Sequence, residues 1–146
     1  MPSAASSSAP APAAAGGDSP ADRCLAVASA KRERKPSEPR KITAKHLLVK
    51  YAGAKSAAEA VTRSREQACL RAEEALKKLQ AGAPFGEIVA AYSEERGAAT
   101  REGSVGAIER GDVVPPFADA AFELSIGEAS QVVESAYGFH VILRVE

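Results

Sequence analysis

Two short apolar runs, residues 44–50 and 137–144, most constrain the fold of this chain, and each contains one of its two histidines. Runs of about four to eight residues that are rich in Val, Ile and Leu and flanked by turn residues predict β-strands buried on both faces. A buried imidazole is costly unless it has a hydrogen-bond partner. The runs therefore predict two strands that hold His46 and His140, either as unrelated core histidines bonded to backbone carbonyls or as one shared polar site.

The segment between the two runs is predicted to contain three helices and to follow the order β-α-α-β-α-β-β. Apolar residues at helical spacing predict helices over residues 65–81 and 85–92, and Pro116 begins the third helix. The third strand is weak, around residues 130–134, and a turn at residues 136–138 leads to the last strand. These elements predict a single α+β domain with one modest core.

The first 40 residues differ in composition from the rest of the chain. Residues 1–20 consist almost entirely of Ala, Ser, Pro and Gly, which cannot bury enough apolar surface to offset the entropy of ordering. We therefore predict a disordered tail over residues 1–40 and a folded domain over residues 41–146. The basic cluster at residues 31–35 is typical of a solvated linker, although a nuclear-import or polyanion-binding element and a transit peptide are alternatives.

Composition also limits the class of protein. The formal net charge is zero, which gives no overall drive towards nucleic acid or membrane, and no apolar stretch is long enough to cross a bilayer. Cys24 and Cys69 form neither a disulfide framework nor a metal-ligand cluster, so we interpret both as reduced thiols. We expect a monomer of the cytoplasm or nucleus, with no membrane partner and nucleic-acid binding unlikely except weakly through the basic cluster.

Further motifs between the two histidines occur in a characteristic order. They are Lys50 after the first strand, Arg63, Tyr92-Ser93-Glu94-Glu95, Gly103-Ser104-Val105-Gly106, Arg110-Gly111, residues 116–122, Gly127-Glu128 and Gly138-Phe139-His140. In this order, the segment resembles the parvulin family of peptidyl-prolyl cis-trans isomerases, most closely its eukaryotic phospho-Ser/Thr-Pro-specific branch. The resemblance implies the parvulin (FKBP-like) fold, a four-stranded antiparallel sheet wrapped by about four helices, and activity without a metal or cofactor.

The resemblance also implies the site residues. Four side chains would surround the isomerising carbonyl, with the two histidines hydrogen-bonded to each other: His46, Glu95, Ser135 and His140. Three apolar residues would hold the proline ring: Val105, Val113 and Phe117. Three cations would hold a phosphate on the residue before proline: Lys50, Lys55 and Arg63. The alternatives are that the valines are plain core residues, that Glu95 is a surface carboxylate, and that the lysines are ordinary solvated side chains.

Two departures from the phospho-specific pattern bear on mechanism and specificity. Glu95 stands where these relatives often have cysteine, so a covalent route through a thiol is excluded at this position and a non-covalent mechanism is favoured. The loop after the first strand keeps one cation, Lys55, where two arginines are expected, and lysine lacks the planar fork of arginine. The chain has no tryptophan, so the two-Trp targeting module of some relatives is not present in it.

Three functions are compatible with these residues. The first is isomerisation of Ser/Thr-Pro bonds in partner proteins, preferably phosphorylated ones, by stabilising the twisted amide. The second is a folding helper of the same family without phosphate dependence. The third is a binding module that holds proline motifs without turning them. Turnover, and its dependence on phosphate, distinguishes the three.

Overall fold

The computed structural model describes residues 19–146, which form four α-helices, one 3₁₀ helix and four β-strands. In chain order the elements are α1 (Pro20–Ala28), β1 (Lys41–Val49), α2 (Arg65–Gln80), α3 (Phe85–Tyr92), β2 (Ser104–Glu109), the 3₁₀ helix (Arg110–Asp112), α4 (Pro115–Ala121), β3 (Val133–Ser135) and β4 (Gly138–Arg144). From β1 onwards this is the predicted order. The predicted α+β class, with four antiparallel strands and about four helices, is confirmed.

The four strands form one antiparallel sheet in the order β2-β1-β4-β3, so the strands that carry the two histidines are central neighbours. In the β1–β4 register His46 lies opposite Ile142, and Leu48 lies opposite His140. Successive side chains in a strand point to opposite faces, and cross-strand partners share a face. The register therefore places His46 and His140 diagonally on the same face of the sheet.

Apolar clusters cover both faces of the sheet. On one face, helices α1, α2 and α3 pack on the strand residues Leu47, Val49, Phe139 and Val141. On the other face, α4 packs on Ile42, Ala44 and Ile142. His46 and His140 alternate with the first set, so they lie on the α4 side.

The local signals of the helices act largely as predicted. Ser64 caps α2, because its hydroxyl accepts from the Gln67 N–H while the Gln67 side chain accepts from the Ser64 N–H. Helix α2 ends at Gln80, one residue before the predicted end, and α4 begins at Pro115, one residue before the predicted start. The weak third strand is shorter and later than predicted, since only Val133–Ser135 pairs as a strand.

The predicted disorder of residues 1–40 is wrong for the part of that segment that the structure describes. Ser19 caps α1 through a 3.0 Å bond from the Asp22 N–H, and Cys24 and Ala28, one helical turn apart, are buried in the cluster with α2. The physical reason is that residues 20–28 contain an apolar stripe, whereas the argument for disorder rested on the composition of the first 20 residues. The predicted disorder of residues 1–18 lies outside the described residues.

The interpretation of Cys24 and Cys69 as reduced thiols is also wrong in this structure. The two residues form a disulfide that joins α1 to α2, with a Cα–Cα distance of 6.1 Å and a sequence separation of 45. Both residues are buried. Their spacing in the sequence gave no sign of the pairing, because it depends on α1 packing against α2.

The basic cluster is not a solvated linker throughout. The Arg32 side chain is 14% exposed and pairs with Glu123 at 3.3 Å, and the Lys35 ammonium donates to the Glu123 carbonyl at 3.1 Å. Glu38 forms a two-pronged ion pair with Arg110 at 2.9 and 2.7 Å. These contacts hold residues 32–38 against the domain. Within residues 19–146, no helix has both the length and the apolar character needed to cross a membrane.

Candidate active site

The centre of the site is a hydrogen-bonded pair of buried imidazoles. The Nδ1 atoms of His46 and His140 lie 3.1 Å apart, and each residue is 4% exposed. The chain of contacts continues in both directions. Ser135 Oγ lies 2.7 Å from His140 Nε2, and Glu95 Oε1 lies 3.2 Å from His46 Nε2. The structure therefore brings together all four side chains predicted to surround the isomerising carbonyl.

Each of these side chains is fixed by an element of the fold. His46 and His140 lie on the central strands, Ser135 ends β3, and Glu95 lies three residues after α3. Close approach of the loop before β2 also depends on Gly103, whose φ is +78° and whose carbonyl accepts from the His46 N–H at 2.9 Å. A Cβ at Gly103 would collide with the His46 carbonyl. Only glycine fits this position without displacement of the strand.

The donors and acceptors of the chain are consistent with one arrangement of protons. The Tyr137 N–H donates to Ser135 Oγ at 3.2 Å, so the Ser135 hydroxyl is free to donate to His140 Nε2. At the other end, an ionised Glu95 can only accept, so it takes the Nε2–H of His46. We accordingly assign a neutral His140 that donates from Nδ1 to the unprotonated Nδ1 of His46. The bonds then run in one direction, from Ser135 to Glu95.

Burial and local charge support these protonation states. Burial lowers the pKa of His140 to about 3, with the neighbouring His46 acting in the same direction, so His140 is neutral near pH 7. The hydrogen bond from His46 lowers the pKa of Glu95 to about 2, and Arg101 contributes in the same direction against partial burial. Glu95 is therefore ionised whenever the domain is folded near neutral pH.

The predicted proline socket lies directly against the histidine pair. The edge of the Phe117 ring meets both imidazoles, with centroid distances of 5.2 Å to His46 and 5.4 Å to His140 and interplanar angles of 81° and 88°. Val105 and Val113 are half-buried and pack in the same apolar cluster as Phe117. The site thus combines an apolar wall with a polar chain, which are the two surroundings that a prolyl ring and its amide carbonyl need.

The three predicted phosphate-binding cations have different surroundings. Arg63 donates to the Glu94 carboxylate at 2.7 Å and to the Lys50 carbonyl at 3.0 Å, so it holds the loop after β1 in place. The Lys50 ammonium donates to the Ser56 carbonyl at 2.9 Å. Lys55 is exposed, and its ammonium lies 5.2 Å from the centre of the Tyr137 ring. Arg63 is thus already paired, whereas the two lysines border the loop.

Arg101 is a site residue that sequence reasoning missed. Its guanidinium donates to Glu95 Oε1 at 2.7 Å, on the side of the carboxylate away from the histidines. Arg101 and Glu95 are six positions apart in an irregular loop, where no helical or strand period relates two side chains. Only the conformation of the loop brings them together, so no sequence signal could have identified the contact.

No described group of residues suggests a bound metal. Among residues 19–146, no three His, Cys, Asp or Glu side chains are arranged to hold a metal ion. A groove of about 470 Å³ lies apart from the histidine pair and contains none of the predicted site residues. It is lined by residues 28–32 after α1, Pro116 and Asp119 of α4, and Val133 and Glu134 of β3. The groove therefore plays no part in the chemistry assigned to the site.

Comparison with known proteins agrees with this geometry. Residues 28–146 match the model of the PPIC-type PPIase domain. The chain belongs to the parvulin family. It is 39% identical over 108 residues to the peptidyl-prolyl cis-trans isomerase Pin1 of Schizosaccharomyces pombe, covering 71% of this chain and 62% of that protein. It is 46% identical over 72 residues to the foldase PrsA of Halalkalibacterium halodurans, covering 49% and 22% respectively.

Solved parvulin structures have the same fold. The peptidyl-prolyl isomerase ESS1 from Candida albicans superposes with a TM-score of 0.68 at 25% identity, over 73% of this chain and 63% of that one. The parvulin of Nitrosopumilus maritimus superposes with a TM-score of 0.55 at 31% identity, over 77% of this chain and all of that one. The chain spans less than two thirds of the curated relatives named above, so family membership is established for the domain alone.

Proposed function

We propose that this parvulin domain isomerises Ser/Thr-Pro bonds, with a preference for phosphorylated Ser or Thr, by non-covalent stabilisation of the twisted amide. The observation that carries the proposal is the continuous chain from Ser135 through His140 and His46 to Glu95, next to the Phe117 ring. No cofactor is part of the proposal, because rotation about an amide breaks no covalent bond.

The chemistry requires a fixed polar environment beside an apolar one. The barrier of about 20 kcal/mol arises from loss of amide resonance when the prolyl bond twists. Each reduction of about 1.4 kcal/mol in that barrier increases the rate tenfold. Neutral imidazoles fixed at both ends by hydrogen bonds can contact the rotating carbonyl without reorganising, while Phe117 holds the ring. In this proposal the histidine pair acts by position rather than by proton transfer.

The proposed phosphate preference rests on the loop after β1. The Lys55 N–H donates to the Ala136 carbonyl at 2.9 Å, which ties the loop to the turn that follows Ser135. Lys55 therefore lies on the side of the site at which the hydrogen-bond chain begins. A phosphate carries nearly two negative charges near neutral pH, so Lys55 and Lys50 could hold it once Lys50 leaves the Ser56 carbonyl. Because Arg63 is paired with Glu94, we propose a modest preference.

A phosphate-independent folding helper is the second candidate. The engagement of Arg63 favours it, because it leaves lysines without an arginine fork to hold the phosphate. Relatives with the printed names foldase PrsA and chaperone SurA also match this chain. In either case we propose that the partners are proline-containing proteins and that the domain acts as a monomer. A binding module without turnover is the third possibility, and the experiment below tests it.

The test is NMR exchange spectroscopy on matched phospho-Ser-Pro, Glu-Pro and Ala-Pro peptides with catalytic amounts of the full chain. We expect exchange to be fastest for the phosphopeptide, and Lys55→Ala to reduce that advantage about two- to tenfold. Lys77→Ala is the matched control, because this lysine is 73% exposed on α2. Equal exchange of all three peptides would establish the folding-helper function. Exchange no faster than the uncatalysed rate would leave only the binding module.

The proposed location, in the cytoplasm or nucleus, needs a separate test. It rested partly on reduced thiols, whereas Cys24 and Cys69 are paired in the structure. Disulfides persist mainly in oxidising compartments, so the pairing favours a location outside the cytosol. Thiol labelling of the protein in intact cells, followed by mass spectrometry, distinguishes the two. Free Cys24 and Cys69 would support the cytoplasm or nucleus, and a protected pair would argue against it.

A further inference from the structure

Arg101 and His46 share one oxygen atom of Glu95. The Arg101 Nη2 donates to Oε1 at 2.7 Å, and His46 Nε2 lies 3.2 Å from the same atom. The guanidinium also donates to the Arg96 carbonyl at 3.2 Å, so it is fixed at two points. Glu95 is therefore held between a permanent cation and the end of the histidine chain.

The loop is shaped around the guanidinium. A Cβ at Gly97 would lie 2.9 Å from Arg101 Nη1, and Gly97 has a φ of +76°, so glycine leaves both the space and the backbone freedom that the contact needs. Two turns fold the loop back on itself, with the Ala98 N–H donating to the Glu95 carbonyl and the Arg101 N–H donating to the Ala98 carbonyl. The backbone therefore returns Arg101 to Glu95 across six positions.

The direction of the hydrogen-bond chain depends on the charge of Glu95. An ionised carboxylate only accepts, which leaves the proton on Nε2 of His46 and directs Nδ1–H of His140 towards His46. A protonated Glu95 could instead donate to His46 Nε2. The proton of His46 would then lie on Nδ1, and His140 would have to change its tautomer as well. The carboxylate thus determines which imidazole atoms can face a substrate carbonyl as donors.

We propose that Arg101 is a positioning residue, which holds Glu95 as an acceptor and so fixes the tautomers of His46 and His140. The proposal rests on the function proposed above for the histidine pair. Arg101 does not itself contact the substrate in this account. Its effect reaches the reacting amide through Glu95 and the two imidazoles.

The groups that face Glu95 are few. From β1 there is His46, from its own loop there is Arg101, and from β4 His140 acts only through His46. From α4 the uncharged Phe117 ring meets the histidines. Loss of Arg101 leaves the bond from His46 in place, so the pKa of Glu95 rises from about 2 but stays below its ordinary range.

The test compares the full chain with Arg101→Gln and Arg101→Lys, and with Lys77→Gln as a control that removes an exposed charge on α2. Peptide exchange is measured between pH 7 and pH 5, and ¹⁵N spectra of the two imidazoles are recorded over the same range. We expect Arg101→Gln to reduce kcat/KM about two- to fivefold at pH 7, and further towards pH 5. The imidazole ¹⁵N signals should shift towards the opposite tautomers at low pH.

Arg101→Lys should restore most of the rate and the parental ¹⁵N signals, because it returns a positive charge to the carboxylate. A rate loss in Arg101→Gln that is the same at every pH, with unchanged imidazole signals, would overturn the proposal and leave a structural role. The ¹⁵N spectra test Arg101 without turnover. Absence of exchange in the parent protein would therefore refute the proposed function, while the tautomer measurement would still decide the role of Arg101.

Discussion

The Cys24–Cys69 disulfide allows a quantitative prediction about stability. It closes a loop with a sequence separation of 45 and joins α1 to the α2 face of the core. In the chain-entropy account, closing a loop of that length removes about 13 cal/mol/K from the unfolded state, or about 4 kcal/mol at 25 °C. Measured values are often lower than this estimate, so we expect reduction to lower the free energy of unfolding by about 2–4 kcal/mol.

The assay is urea unfolding of the full chain, followed by circular dichroism, with and without a phosphine reductant. A denaturant slope of about 1.5 kcal/mol per M converts the expected loss into a midpoint lower by about 1–3 M. The native fold should survive reduction, because both sulfurs stay buried and a thiol packs as a small apolar group. The change therefore reports the unfolded chain rather than lost contacts.

The control is the double variant Cys24→Ala/Cys69→Ala, whose midpoint should not respond to reductant and should lie near that of the reduced protein. Mass spectrometry under both conditions establishes whether the bond is present. Equal midpoints for oxidised and reduced protein, with the bond confirmed in the first, would refute the loop-closure reasoning. Two free thiols in protein kept without reductant would refute the pairing itself.

Three further predictions concern the site. Gly103→Ala should lower the free energy of unfolding by about 2–4 kcal/mol, because it combines a positive φ with a collision at the His46 carbonyl, whereas Gly111→Ala, which has open space, should change it by less than about 0.5 kcal/mol in the same urea assay. Phe117→Leu should slow isomerisation at least about tenfold in the peptide exchange assay while urea unfolding stays cooperative, since it removes the ring beside both histidines but keeps an apolar side chain; an unchanged rate would exclude a socket there. Below pH 6.5, the usual pKa of histidine, the unfolded chain binds a proton at His140 that the folded domain refuses until about pH 3, so stability should fall on acidification by up to about 1.4 kcal/mol per pH unit, and His140→Gln should flatten this slope between pH 6 and pH 5 in urea titrations.

Local patterns in the sequence were sufficient to predict most of the domain. The apolar runs around His46 and His140 predicted the two central strands, and helical periodicity predicted α2 and α3 to within a residue. These signals act within a few residues along the chain, which is why they can be read without the fold. The resemblance to parvulins then named the four side chains that the structure brings into one hydrogen-bonded chain.

Only the tertiary structure determined how distant parts of the chain support that site. Helix α1 is ordered by burial against α2, and its composition alone did not predict this. Cys24 meets Cys69 because two helices pack, and Arg101 meets Glu95 because a loop folds back on itself. The physical reason is the same in each case. Such contacts depend on the relative placement of elements, which is determined by the packing of the whole core and leaves no periodic trace in the sequence.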